Sequence, residues 1–374
     1  MQRKITCISM VYLPSEIAIY PIFIASFIVA YLSIPSIVRV ARQKKFFDDP
    51  SHRKSHVRQI PTLGGIAIFA GFTMAAGALI NHNSMPSLQY ILVACIIIFF
   101  IGIKDDIQII APHKKLMGQI LAALVLIIPG NLNFTNLHGF LHIYDYGSPI
   151  VSLFITLFVI ILIINSLNLI DGIDGLASSV GILATIFFGS WFYISGNVEH
   201  SLISAATLGA LLGFFRFNLS NGKYKIFMGD TGSMLVGLLL VVQVIMFNEL
   251  NKETTSFSIN SAPVISFAVL IIPLYDTLRV FIIRMSRGRS PFVADKNHLH
   301  HCMLKLGFSH VQSTLLIVLV NIVFIALALF LQNINMYLLI LIILGLATIL
   351  SLYLEKAVRT NGNHTKKSSC AASE

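Results

Sequence analysis

The chain has 374 residues, of which 56% are apolar and only 11% charged, with a formal net charge of +10. Soluble domains carry about 25% charged residues, so this composition excludes a disordered chain, a coiled coil and a soluble multidomain enzyme. An all-α, polytopic integral membrane protein remains, because a helix satisfies its own backbone groups in lipid.

A spanning helix needs about 20 mostly apolar residues. In chain order the sequence predicts spans at 17–40, 62–80, 88–103, 116–130, 149–167, 176–195, 201–217, 233–248, 262–283, 312–331 and 336–354, eleven in all. Pro14 and Glu16 interrupt the apolar run after Arg3 and Lys4, which favours a first spanning helix over a cleaved signal peptide. Neither a short-period repeat nor a pair of inverted halves is visible. One polytopic domain is expected over 1–354, followed by a polar, disordered cytoplasmic tail over 355–374. The four cysteines, Cys7, Cys95, Cys302 and Cys370, contain no Cys-x-x-Cys pair, so no disulfide framework is expected.

The basic residues give an orientation. Arg39, Arg42, Lys44, Lys45, Arg53, Lys54 and Arg58 follow the first span, and Lys104, Lys114 and Lys115 follow the third. Arg216, Lys223 and Lys225 follow the seventh. Arg279, Arg284, Arg287, Arg289, Lys296 and Lys305 lie in or after the ninth, and Lys356, Arg359, Lys366 and Lys367 follow the last. The other side has only Arg3, Lys4 and Lys252. The positive-inside rule therefore places the N-terminus outside and the C-terminus in the cytoplasm, and it accounts for the net charge without nucleic acid. Asp145 is the one aspartate on the outer side, and no loop between cytoplasmic helix ends has a Glu. Solvated surface acids would mix Asp and Glu. Short-armed Asp beside Gly and Asn on one face points to a cation site.

Five constellations lie on that face. Asp105-Asp106 closes the third span, and adjacent carboxylates repel unless a cation or proton sits between them. Asn165, Asn168, Asp171 and Asp174 recur every three residues, near one face of a helical turn, with Gly172 and Gly175 between. Such oxygen donors suit Mg²⁺ shared with phosphate, with Mn²⁺ as the alternative, and the sequence lacks the closing Glu of an EF-hand. Phe227-Met-Gly-Asp230-Thr-Gly-Ser233 precedes a helix and offers free amides to an anion. Arg284 to Arg289 and then His298-Leu-His300-His301 form a basic, imidazole-rich segment suited to phosphate, with a zinc site as the competing reading. Asp48-Asp49 and the following basic loop lead to Pro61-Thr-Leu-Gly-Gly65.

In this order, Pro61–Gly65, Asp105-Asp106, Asn165–Gly175, Phe227–Ser233 and His298–His301 resemble the polyprenyl-phosphate N-acetylhexosamine-1-phosphate transferases, glycosyltransferase family 4. The resemblance runs from about residue 17 to 354 and is nearest to the branch acting on undecaprenyl phosphate with N-acetylglucosamine 1-phosphate. It implies Mg²⁺-dependent transfer of a sugar 1-phosphate from a UDP-N-acetylhexosamine to undecaprenyl phosphate, with release of UMP, as the first membrane step of a cell-surface glycan. The site would face the cytoplasm at the bacterial inner membrane, and a homodimer is compatible with it. By resemblance, Asp230 and Asn168 hold the metal, and Asp105, paired with Asp106, deprotonates the acceptor or forms a covalent intermediate. Asp171 and Asp174 lie near the nucleotide, and Phe227 stacks on uracil. Lys115 and Arg289 bind phosphate, and His298, His300 and His301 contact diphosphate or sugar. The alternatives are a phospho-N-acetylmuramoyl-pentapeptide transferase, disfavoured because Leu299 interrupts the histidines, and a secondary transporter. A transporter should hold its acids within its spans, where only Asp276 lies.

Overall fold

The computed structural model of the protein describes residues 15–44, 60–136, 138–139, 147–251, 257–286, 288 and 298–371. Among these the chain is all-helical, without strands. In order the helices are α1 (Ser15–Lys44), α2 (Gly64–Leu79), α3 (Leu88–Ile107), α4 (Pro112–Ile127), α5 (Pro149–Ile170), α6 (Leu176–Ile194) and α7 (Val198–Asn218). Then come α8 (Gly229–Leu250), α9 (Ala262–Val269), α10 (Ile271–Ser286), α11 (Leu299–Lys305), α12 (His310–Phe330) and α13 (Met336–Ala371).

Each of the eleven expected segments falls on a helix, except 262–283, which falls on the pair α9 and α10. Among the described residues, seven helices are long and apolar enough on their own to cross a membrane, or eight if the bent pair counts as one span. That is fewer than the eleven expected. Of the segments outside the eight, α2 and α4 have only 16 residues each, and α3 ends on the charged turn Lys104-Asp105-Asp106. α11 was not anticipated, because seven residues are too few to leave a periodic signal. α13 continues helical to Ala371, into the segment expected as a disordered tail.

α8 is apolar around its whole circumference, and such a helix belongs inside a bundle. It is the core of the fold: 89% of its most apolar stretch is buried, against 28% for α1 and 22% for α13. It packs against α2, α3, α5 and α6, while α1 lies outside on α7 and α2.

The break between α9 and α10 bends the chain by 82°. Pro273 explains it. A proline has no N–H for the carbonyl four residues earlier, which here belongs to Val269. Asn321 of α12 supplies the missing donor, Nδ2 to Val269 O at 3.1 Å.

Candidate active site

The site forms where the N-terminus of α8 meets the ends of α2, α3, α4 and α5. Before α2 and α8 the two chains run side by side. Phe227 N donates to Pro61 O at 2.9 Å, Gly64 N to Phe227 O at 3.0 Å, and Gly65 N to Met228 O at 2.9 Å. This pairing brings the helix starts into backbone contact: a Cβ on Gly65 would lie 2.3 Å from Gly232 N. Gly229 has a φ of +73°, and a Cβ there would lie 2.0 Å from Thr62 O. Only glycine fits that turn.

Asp105 and Asp106, adjacent in the last turn of α3, face different neighbours. Successive residues on a helix point about 100° apart, and the two carboxylates take different partners. Asp106 grips the start of α8, accepting from Asp230 N at 2.7 Å, Thr231 N at 3.1 Å and Thr231 Oγ1 at 2.5 Å. Asp105 turns to Lys115 at 3.0 Å and to Ile110 N at 2.8 Å.

Lys115 is the hub. Its Nζ lies 3.0 Å from Asp105 Oδ2, 2.9 Å from Asp230 Oδ1 and 3.3 Å from Asn168 Oδ1. Asn168 Nδ2 also donates to Asp230 Oδ1, and to Ser233 Oγ at 2.8 Å. Thus Lys115, Asn168, Asp105 and Asp230, far apart in sequence, meet at one point.

Asp171 caps α5 and is half-buried. Burial first, then the like charges of Asp230, Asp106 and Asp174, push its carboxyl up to about 8. The cluster therefore has four acids, Asp105, Asp106, Asp171 and Asp230, around one ammonium, an excess that favours a further cation or a retained proton.

Asp174 lies apart from the hub. Burial raises its carboxyl, but hydrogen bonds from His310 and Lys225 outweigh that and hold it below the usual range. Lys225 Nζ is 2.6 Å from Asp174 Oδ2, and His310 Nδ1 is 3.5 Å away. The same ammonium lies 5.8 Å from the centre of the Phe227 ring, so Asp174, Lys225 and Phe227 form one charged and aromatic corner. Asn218 braces this corner, accepting from Gly175 N at 2.7 Å and donating to Ile226 O at 3.0 Å.

The histidine segment is anchored from within the bundle. Asp276, 1% exposed on α10, binds His298 Nδ1 at 2.8 Å and accepts from Leu299 N at 3.0 Å. Arg279 lies 3.6 Å from the same carboxylate and also pairs with Glu355 of α13. His298 is buried, so it holds the segment in place and does not project from it. His300 is buried against the turn after α5, where its Nε2 would lie 2.3 Å from a Cβ on Gly172. Burial, with the neighbouring His301 adding, lowers its imidazole to about 4, so the ring is neutral at pH 7. His301 lies beside it, ring centres 4.3 Å apart and planes tilted by 48°.

Asn165 does not join Asn168. It turns to Gln119 of α4 and pairs with it through both amides. Arg289, with Asp48, Asp49 and Arg287, lies outside the described residues. Sequence reasoning passed over Gln119, Asn218, Lys225 and His310. Gln119 alone carried a signal, as a single amide within the apolar run from Leu116 to Ile127.

Among the described residues no three His, Cys, Asp or Glu side chains form a metal-binding group. The hub nevertheless fits a hard divalent cation. Asp105, Asp230 and Asn168 each aim an oxygen at one positive centre, now the Lys115 ammonium, and oxygen donors are what Mg²⁺ takes.

A family model described as glycosyl transferase family 4 matches residues 88–248. The chain is 30% identical over 303 residues to a Yersinia pestis protein, covering 80% of each, and 30% identical over 283 residues to an Escherichia coli protein, covering 75% of each. Both relatives are named undecaprenyl-phosphate alpha-N-acetylglucosaminyl 1-phosphate transferase.

Proposed function

Because the chain belongs to glycosyl transferase family 4, we propose that it transfers N-acetylglucosamine 1-phosphate from UDP-N-acetylglucosamine to undecaprenyl phosphate, releasing UMP. The product would be the lipid-linked first sugar of a cell-surface glycan. The observation that carries this reading is the meeting of Lys115, Asp105, Asn168 and Asp230 at one point among the helix ends.

The chemistry is phosphoryl transfer. An oxygen of the lipid phosphate attacks the phosphorus that bears the sugar, and the bond from that phosphorus to the oxygen of UMP breaks. Two anions must meet, and charge moves to the leaving phosphate, so catalysis rests on positioning and cationic stabilisation. Lys115 supplies a fixed positive charge at the reacting phosphates. Asp105 takes the proton from the acceptor phosphate when it is protonated. Asp106 holds the turn that presents Asp230. Phe227 offers a flat face to the uracil, beside Asp174 and Lys225. His301, beside the buried His300, would contact the diphosphate and sugar. Asp230 and Asn168 would hold Mg²⁺, which when bound supplies positive charge against the diphosphate.

The distribution of Lys and Arg supports eleven crossings, with the N-terminus outside and the site on the cytoplasmic face. Inside-out vesicles given sugar-labelled UDP-N-acetylglucosamine, undecaprenyl phosphate and Mg²⁺ should form labelled lipid and an equal amount of UMP. Sealed right-side-out vesicles should form none. Product only with a UDP-N-acetylmuramoyl-pentapeptide donor would refute the assigned substrate, and product in sealed right-side-out vesicles would refute the orientation. Asp276 is the one acid within the spans expected from the sequence, and it is engaged by His298, Leu299 and Arg279. That leaves the transporter reading without an intramembrane carboxylate to load.

A further inference from the structure

One helical turn beneath the hub, a second layer of side chains repeats its three-helix geometry. Gln119 follows Lys115 by four residues on α4, Asn165 precedes Asn168 by three on α5, and Met234 follows Asp230 by four on α8. Residues three or four apart share a helix face, so each member of the lower layer sits below a member of the hub. The lower layer is tied together at Gln119. Its Nε2 donates to Asn165 Oδ1 at 3.2 Å and meets Met234 Sδ at 3.5 Å, while its Oε1 accepts from Asn165 Nδ2 at 2.8 Å. Asn165 Nδ2 donates as well to Ile161 O at 2.8 Å, which fixes that amide on its own helix. Gln119 is 1% exposed. At this depth an amide that loses its partner has no water to turn to, so the pair favours one register of the helices.

We propose that Gln119 is a positioning residue: its clasp on Asn165 and Met234 sets the register of α4, α5 and α8, and so holds Lys115, Asn168 and Asp230 on a common point. Gln119 touches no reacting atom and acts through Lys115. The catalytic part of this inference rests on the transferase reading above; the register part does not.

The test uses the full-length protein purified in detergent and the variant Gln119→Leu, with two readouts. The first is acylation of Lys115 by an amine-reactive ester, followed by mass spectrometry with the exposed Lys114 as internal reference. Release of Lys115 from its carboxylates should speed its labelling about 10-fold, the scale of one interhelical polar pair, while Lys114 is unchanged. The second is turnover. Here kcat should fall about 10-fold with the donor KM within about 2-fold, and the same change on a Lys115→Ala background should cost less than about 2-fold. If Gln119→Leu does not fold, the exchanged pair Q119N/N165Q keeps both amides and should restore the Lys115 protection lost in Gln119→Asn alone. Unchanged Lys115 labelling in Gln119→Leu, or an equal loss of kcat on both backgrounds, would overturn the proposal. A wild-type protein inactive with every UDP-sugar donor would instead count against the transferase reading, and Lys115 labelling would still decide the register role.

Discussion

Asp171 shows how much of the site's behaviour follows from charge crowding at a single residue. Its carboxyl is pushed up to about 8 by burial and by three neighbouring carboxylates. A group whose pKa is raised on folding contributes stability that is full below its unfolded pKa of about 4 and is lost as pH rises through about 8. In EDTA, the melting temperature of the wild-type protein should therefore fall between about pH 6 and about pH 9, and Asp171→Asn should fall less. Parallel curves in a detergent melting series would remove Asp171 from the crowded cluster. The residue scale is also where the sequence misled. Spacing by three seemed to put Asn165, Asn168, Asp171 and Asp174 on one face, but α5 ends at Ile170, so the helical period reaches only the two asparagines. Asn165 lies one turn below Asn168, where it meets Gln119, and Asp174 is placed by a loop whose path no helical period describes. Lys225 and His310 read in the sequence as ordinary loop and helix-start residues, and only the fold brings them to Asp174.

At the scale of elements, the site depends on how closely helix ends can approach. α2 and α8 begin side by side because two short extended segments pair before them and because Gly65 and Gly232 leave room. Gly65→Val would put side-chain carbon where the backbone of Gly232 lies. Backbone cannot yield as a flexible side chain can, and overpacking of this kind costs about 1–3 kcal/mol. The expected outcome is lower thermal stability and loss of turnover together, because the displaced turn carries Asp230. Wild-type activity in Gly65→Val would show that the α2–α8 contact does not set the site. The elements themselves were largely legible: apolar length located α1 to α8, α12 and α13, but the remaining segment read as one span, and the break at Pro273 was not anticipated. What composition did not give was the depth of each helix. α8 and α1 are similarly apolar, yet one is the core and the other the periphery. That order is set by which neighbours each helix finds.

At the scale of the whole molecule, few charges are spread over a long apolar chain, and the fold gathers many of them at one end. Five segments spread between Gly65 and Asp230 supply Gly65, Asp105, Lys115, Asn168 and Asp230 to one region, with the histidine segment closing beside them through Asp276. The order of the motifs in sequence was enough to indicate the family. It was not enough to show that Lys115 would be the hub, or that Asp106 would serve the turn before Asp230. The central claim is that this convergence is the reaction centre, and Asp230 tests it most directly, because it touches both Lys115 and Asn168. Single-turnover transfer of labelled sugar phosphate to undecaprenyl phosphate should be compared in wild type and Asp230→Ala, at matched amounts of folded protein and saturating Mg²⁺. The expected result is a fall of about 10³-fold or more, the scale of losing a preorganised charged group in an active site. A rate within about 2-fold of wild type, with the same dependence on Mg²⁺, would contradict the assignment.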